Sequence, residues 1–274
     1  MPRGVPKAGF RNTNKRLAQA KEASLIKAKE SRFGINDRFT FVEDMIGLLA
    51  TNIQPSVIIT GPGGLGKSFT VAKALKDNGL KDISLLDDGF EVGAVLGPKT
   101  FRVVKGYSTP KGLYRTLYEN RSGVIVFDDC DSVLRDDTAL NLLKGALDSY
   151  ERRIISWKAE KMDDDLPSVF EFKGRVIFIS NMPRERIDQA ILTRSMVVDL
   201  TMTTVQKIER MRTMLKDPTF LTEIERPIKD RAMDLIEDLQ DRIEDLSLRT
   251  LITVSKIAKK GGPRWKDLAE YAIC

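Results

Sequence analysis

Apolar runs and amphipathic stretches alternate along this chain from residue 41 onward. Short apolar runs predict buried strands at residues 56–60, 101–105, 124–127, 175–180 and 196–200. Apolar residues at steps of three and four predict helices between the strands, at residues 41–52, 67–77 and 140–149, with a further helix opened by Ser108-Thr109-Pro110. This alternation is typical of a parallel sheet flanked by helices. The sequence therefore predicts an α/β fold with a parallel five-stranded sheet.

Two other segments depart from the alternation. Residues 153–157 and 168–172 predict a β-hairpin before the fourth strand. After residue 200 the pattern is purely helical, with one amphipathic helix over residues 228–246 that Pro227 can begin, and a next helix over residues 247–260 that glycines 261 and 262 stop. We therefore expect a tail at residues 1–34, an α/β core at 35–202 and a small helical domain at 203–274.

Composition disfavours several classes of protein. The apolar runs are far shorter than the ~20 residues that a membrane-spanning helix needs, and no signal peptide is recognised at the N-terminus. Cys130 and Cys274 are too few for a disulfide framework or a metal site, and the chain has no histidine, which disfavours zinc catalysis. We expect a cytoplasmic protein without a membrane partner.

The positive charge of the chain lies in its tail. Residues 1–32 carry nine Lys and Arg and two Glu, a net charge of +7, whereas the whole 274-residue chain carries +6. Residues 2–14 are rich in Pro, Gly and Asn, which predicts disorder, and residues 15–30 predict a polar, Ala-rich helix. Charge alone leaves two interpretations open, a solubilising extension and a nucleic-acid-binding arm.

The most informative motif follows the first strand. It fits the pattern G-x-x-x-x-G-K-[ST] and consists of Gly61, Pro62, Gly63, Gly64, Leu65, Gly66, Lys67 and Ser68. Glycines let successive N–H groups surround a phosphate, and the helix that follows adds its positive end. Lys67 is expected to reach the β- and γ-phosphates and Ser68 to bind Mg²⁺. We predict a phosphate-binding loop for ATP and include the next residue, Phe69, in the nucleotide-binding set.

Polar residues end the third and fourth strands. Asp128 is expected beside the Mg²⁺ shell, and Asp129 is expected to orient and deprotonate an attacking water. Surface acids are commonly just solvated, which is the alternative interpretation of Asp129, and Asp131 is the next candidate for the base. Asn181 follows the neighbouring strand, where its amide would hold the same water or touch the γ-phosphate, although a strand-ending Asn is also a common turn residue.

With these elements in order, the chain over roughly residues 41–260 resembles the AAA+ ATPases. Residues 61–68 are similar to the Walker A motif of that family, 124–129 to Walker B, and 178–181 to sensor 1. The resemblance implies that the helical domain is a lid, and that Arg249 is the sensor 2 arginine that closes over the nucleotide.

Residues 190–195 resemble the helix end that carries an arginine finger in the same family. The resemblance implies that Arg194 stabilises γ-phosphate charge in a neighbouring subunit, with Arg184 and Arg186 as fallback candidates. It thereby implies a homo-oligomeric ring, which we expect to be hexameric.

Other features are similar to superfamily-3 viral helicases. These are the Asp-Asp doublet in place of Asp-Glu, the Ser-Asn strand end and the hairpin. In such helicases the hairpin and the loop after the second strand face a central pore. The matching residues of this chain are Lys105, Tyr107, Lys111, Lys158 and Lys161. Aspartates at positions 163–165 of the hairpin tip disfavour a direct grip on phosphates.

The resemblance implies an ATPase that couples hydrolysis to work on DNA or nucleoprotein. A phage-type replication helicase or helicase loader is the favoured interpretation, located in the host cytoplasm if the chain is phage-encoded. Three alternatives stay open: a remodelling ATPase whose tail binds a protein client, a P-loop kinase for small molecules, and a nucleotide switch that does not hydrolyse. Asn181 and Arg194 disfavour the kinase.

Overall fold

The computed structural model describes residues 18, 19, 22, 23, 26, 31–84, 97–158 and 166–274. The five described residues before position 31 are helical, in agreement with the helix expected within residues 15–30. The expectations for the other tail residues, for Lys161 and for the aspartates at 163–165 lie outside the described residues. No helix in the described ranges is long and apolar enough to cross a membrane.

The strands are β1 (Ser56–Thr60), β2 (Lys81–Asp82), β3 (Thr100–Lys105), β4 (Val124–Asp128), β5 (Ile154–Ser156), β6 (Val169–Glu171), β7 (Arg175–Ile179) and β8 (Met196–Asp199). Within the described ranges the main sheet is parallel, in the order β2-β3-β4-β7-β1-β8. The expected count of five strands is wrong, because β2 adds a sixth. Its two residues are too few to leave an apolar pattern in the sequence. The hairpin is confirmed as antiparallel β5 and β6.

The helices are α1 (Ile35–Ala50), α2 (Lys67–Asp77), α3 (Pro110–Glu119), α4 (Asp137–Ala146), α5 (Gln189–Leu192), α6 (Thr204–Lys216), α7 (Arg226–Asp238), α8 (Leu248–Lys260) and α9 (Trp265–Ile273). Helix α1 begins six residues earlier than expected, where the Asp37 carboxylate accepts a hydrogen bond from the Gly34 N–H. The expected helix over residues 228–246 ends at Asp238, and α9 was not expected. The predicted cap of α3 is confirmed, since Thr109 accepts from the Gly112 N–H.

Side chains of the sheet alternate between two apolar cores. Val124 and Val126 face the core that also contains residues of α1 and α2, whereas Ile125 and Phe127 face the core formed with α3, α4 and the hairpin. A third apolar cluster joins helices α6 to α9. The structure is thus an α/β sheet with helices on both faces, followed by C-terminal helices. The boundary expected near residue 202 stays a prediction.

Candidate functional site

The carboxyl ends of β1, β4 and β7 meet at one edge of the sheet, because these strands are parallel neighbours. The loop at residues 61–66 follows β1, and α2 begins directly after it. These elements border a cavity of about 150 Å³, whose lining includes Lys67, Ser68, Asp128, Asp129 and Asn181. The structure therefore brings together five of the residues that the sequence predicted as one site.

Lys67 lies beneath the loop, with only 5% of its surface exposed. Its Nζ donates hydrogen bonds to the carbonyl oxygens of Gly61 (2.8 Å) and Pro62 (2.7 Å) and to Asn181 Oδ1 (2.9 Å). Burial lowers the pKa of Lys67 from 10.5 to about 8, against the opposing charge of Asp129. The ammonium is therefore fixed in position and still mainly charged near neutral pH.

The loop packs closely against two segments that come much later in the sequence. Gly61 has a φ of 132°, and a Cβ there would lie 2.7 Å from the Leu200 carbonyl carbon. Gly64 has a φ of 74°, its carbonyl accepts a hydrogen bond from the Leu248 N–H at 2.8 Å, and a Cβ would lie 3.1 Å from Ser247 Cβ. Glycine is required at both positions for conformation and for space. The start of α8 is thereby held against the loop.

Ser68 and Asp128 form a hydroxyl–carboxylate pair at the first turn of α2. Ser68 Oγ donates to Asp128 Oδ1 at 2.8 Å, and the Asp128 side chain is 5% exposed. Lys105 Nζ lies 3.1 Å from the other oxygen, Asp128 Oδ2. Lys105 was expected in a pore loop and was missed as a neighbour of the site. It ends β3 directly opposite Asp128, so the pairing of the two strands determines this contact.

Asn181 connects Lys67 to the second acid. Its Nδ2 donates to Asp129 Oδ1 at 2.7 Å, while its Oδ1 accepts from Lys67. Asp131 is engaged elsewhere, because it accepts a hydrogen bond from Ser180 Oγ at 2.6 Å and forms an ion pair with Arg135 at 3.8 Å. This arrangement favours Asp129 over Asp131 as the acid that acts on a ligand in the cavity.

Phe69 and Arg249 complete the lining of the same cavity. Phe69 is 47% exposed, and Arg249 lies exposed on the first turn of α8. The positive charge of Arg249 contributes to the lowered pKa of Lys67. The C-terminal helices thus place a guanidinium beside the loop, and the sensor 2 role that the resemblance implies for it stays a prediction.

Arg194 lies away from this cluster within one chain. It precedes β8, and its neighbour Ser195 hydrogen-bonds Ser56 Oγ at 2.9 Å, at the amino edge of the sheet. The loop begins at the opposite edge, five residues after Ser56 and roughly 17 Å away along the strand direction. Arg194 Nη1 donates to the Ala190 carbonyl at 3.0 Å.

Two of the residues expected to face a pore lie on the surface of the chain. Tyr107 is 80% exposed, and Lys158 is exposed.

The hydroxyl of Ser68 and the carboxylate of Asp128 can hold Mg²⁺ only together with further ligands. In the described ranges no group of three or more His, Cys, Asp or Glu is arranged to hold a metal ion. Mg²⁺ is commonly bound through one or two carboxylates together with substrate phosphates and waters. One hydroxyl and one carboxylate beside a glycine-rich loop fit that pattern.

No protein-family model matches the chain. The chain is similar to the uncharacterized 36.7 kDa protein in the nrdC-mobD intergenic region of Enterobacteria phage T4. The two are 29% identical over 257 residues, which cover 86% of this chain and 73% of the relative. The name of the relative states no activity.

Proposed function

We propose that this protein is a P-loop ATPase that hydrolyses ATP with Mg²⁺. One observation carries the proposal: the buried Lys67 ammonium and the Ser68–Asp128 pair border one cavity below a glycine-rich loop, at the N-terminus of an eleven-residue helix. Backbone N–H groups at such a helix end attract phosphate. A cation, a hydroxyl and a carboxylate at fixed positions supply the other groups that a nucleotide phosphate and its metal require.

Each residue has a role in this proposal. Lys67 binds the phosphates, and Ser68 and Asp128 would hold Mg²⁺, which when bound neutralises phosphate charge and favours attack by water. Asp129 accepts the proton of that water. Asn181 orients Asp129 and touches the γ-phosphate, and Arg249 approaches the nucleotide from the C-terminal helices.

The proposal includes a ring. A finger role for Arg194 requires a second subunit, because Arg194 lies at the opposite edge of the sheet from Lys67. We propose a homo-oligomer, hexameric in the favoured form, that acts on DNA or nucleoprotein as a phage-type replication helicase or loader. Similarity to a phage protein supports the phage context. A remodelling ATPase with a protein client is the alternative, followed by a small-molecule kinase and a non-hydrolysing switch.

The decisive experiment measures ATPase rate with and without single-stranded DNA, duplex DNA and RNA, together with mass in solution. We expect Mg²⁺-dependent turnover by an oligomer and stimulation by nucleic acid. Turnover that only a protein partner stimulates would favour the remodeller. Monomeric phosphoryl transfer to a small molecule would favour the kinase, and ATP binding without turnover would favour the switch.

The ring is tested by mixing two inactive variants. Arg194→Ala should keep ATP binding and lose hydrolysis, whereas the exposed Arg231→Ala should keep both. Mixing Arg194→Ala with Asp129→Asn should restore part of the activity, because some interfaces then pair an intact Asp129 with an intact Arg194. Verified mixed rings without recovery would contradict a finger in trans.

A further inference from the structure

Lys105 contacts the candidate metal-binding acid and has no role in the proposed chemistry. It is the last residue of β3 and pairs in register with Asp128, the last residue of β4. Its Nζ lies 3.1 Å from Asp128 Oδ2, with the lysine side chain 70% exposed and the aspartate side chain 5% exposed. An exposed cation therefore reaches inward to a nearly buried carboxylate.

Both oxygens of that carboxylate are engaged. Ser68 Oγ donates to Oδ1 and the Lys105 ammonium pairs with Oδ2. A buried carboxylate without a counter-charge is unfavourable, and the Lys105 ammonium supplies a positive charge beside Asp128. A divalent cation at Ser68 and Asp128 would supply that charge instead, and two cations within a few ångströms of one carboxylate oxygen repel each other.

We propose that Lys105 is a resident counter-cation of Asp128 that moves away when a divalent cation binds at Ser68 and Asp128. This inference rests on the proposed function, and it names what competes with the metal for the acid. Lys105 then weakens metal binding in proportion to the strength of its ion pair. It also connects the metal site to the segment that follows β3.

That segment is an exposed turn between two contacts, one with the last residue of β4 and one with the residues that follow β4. Gly106 has a φ of 88°, and a Cβ there would meet nothing within 4 Å, so the turn is open to solvent. Tyr107 is 80% exposed, and the Ser108 N–H donates to Ser132 Oγ at 3.2 Å. Lys105–Asp128 is the first contact and Ser108–Ser132 is the second. Loss of the first contact loosens the turn that carries Tyr107.

The first measurement is the affinity for Mn²⁺, a paramagnetic substitute for Mg²⁺, in the presence of a non-hydrolysable ATP analogue. Lys105→Met keeps the length of the side chain and removes its charge, Lys105→Arg keeps the charge, and Lys99→Met is a control at an exposed lysine before β3. Lys105→Met should bind Mn²⁺ roughly three- to five-fold more tightly, the upper range for a partly exposed ion pair. The other two variants should match the wild type.

The second measurement is amide hydrogen exchange over residues 105–109. In the wild type, exchange there should become faster when Mn²⁺ and the analogue bind. In Lys105→Met it should be fast already and change little. The nucleotide analogue without metal is the matched control, because it should leave the wild-type segment protected.

The outcomes separate this inference from the proposed function. A wild type that binds neither nucleotide nor Mn²⁺ would overturn both. A wild type that binds both ligands, with equal or weaker Mn²⁺ affinity in Lys105→Met, would overturn the counter-cation alone. Tighter Mn²⁺ binding with unchanged exchange at residues 105–109 would overturn the movement of Lys105.

Discussion

The two edges of the same parallel sheet both bury a cation, but in different surroundings. At the carboxyl edge, Lys67 bonds two loop carbonyls and Asn181 and borders the cavity that Asp128 and Asp129 line. At the amino edge, Arg175 donates to the carbonyl oxygens of Leu49, Ala50 and Pro98. The first cation borders a cavity, and the second closes over the end of α1.

Burial alone does not distinguish these two roles. Lys67 is 5% exposed and Arg175 is 4% exposed. Arg175 donates to the Ala50 carbonyl oxygen at the end of α1, and Arg153 does the same for Ala146 at the end of α4. The partners of a buried cation, and whether a cavity adjoins it, therefore separate a binding role from a structural one.

The largest expected effect is loss of nucleotide binding at the carboxyl edge. Lys67→Ala should weaken ATP binding by about 3–6 kcal/mol, roughly 10²–10⁴-fold, because about two charge-assisted hydrogen bonds to phosphate disappear. Lys73→Ala, at an exposed lysine on the same helix, should bind normally. Titration calorimetry measures both. Unchanged affinity in a folded Lys67→Ala protein would contradict the phosphate-binding loop.

The next effect concerns the acids of the same edge. Asp129→Asn should keep ATP bound while the turnover number falls by roughly 10²-fold or more, the scale of general base catalysis. Asp131→Asn is the matched control, and it should keep most of the turnover because Asp131 bonds Ser180 and Arg135. Steady-state kinetics compares the two, and the reverse order of effects would assign the base to Asp131.

Substitution of the buried cation at the amino edge should instead change the free energy of unfolding. Arg175→Met should lower the free energy of unfolding by about 2 kcal/mol, since the carbonyl oxygens of Ala50 and Pro98 lose the donor that Arg175 supplies. ATP affinity, measured where the variant is fully folded, should stay at the wild-type value. Arg231→Met at an exposed position is the control for denaturant unfolding. A selective loss of ATP affinity in Arg175→Met would contradict a purely structural role for Arg175.

Much of this site was predictable from the sequence, because it depends on local pattern and on parallel strand order. The motif around Lys67 predicted the loop. The strand ends at Asp128 and Asn181 were predicted to be neighbours, and the pairing of β4 with β7 confirms this. The Lys105–Asp128 contact was not predicted, because it depends on the register of β3 against β4. The strand β2 was missed because it has two residues. The role of Arg194 stays a prediction, since it concerns a second subunit.

The smallest expected effect is a pH dependence of ATP affinity, which arises from Lys67 at the carboxyl edge. Burial holds the pKa of Lys67 near 8, below its usual 10.5. Phosphate binding requires the charged form, and phosphate groups with a second pKa near 6 change little above neutral pH. ATP affinity should therefore fall about tenfold between pH 7 and pH 9, as expected for loss of one proton with a pKa near 8. Titration calorimetry at constant ionic strength measures this fall.

Stability should change in the opposite direction over the same range. Because the folded pKa of Lys67 lies below the unfolded value, the unfolded chain binds more protons between about pH 8 and 10.5. The contribution of this group to the free energy of unfolding therefore rises with pH, so unfolding cannot explain the weaker binding. Arg175 stays protonated throughout, although burial lowers its pKa too. Lys67→Arg should accordingly lose the pH dependence of ATP affinity, and a persistent tenfold fall in that variant would assign the titration to another group.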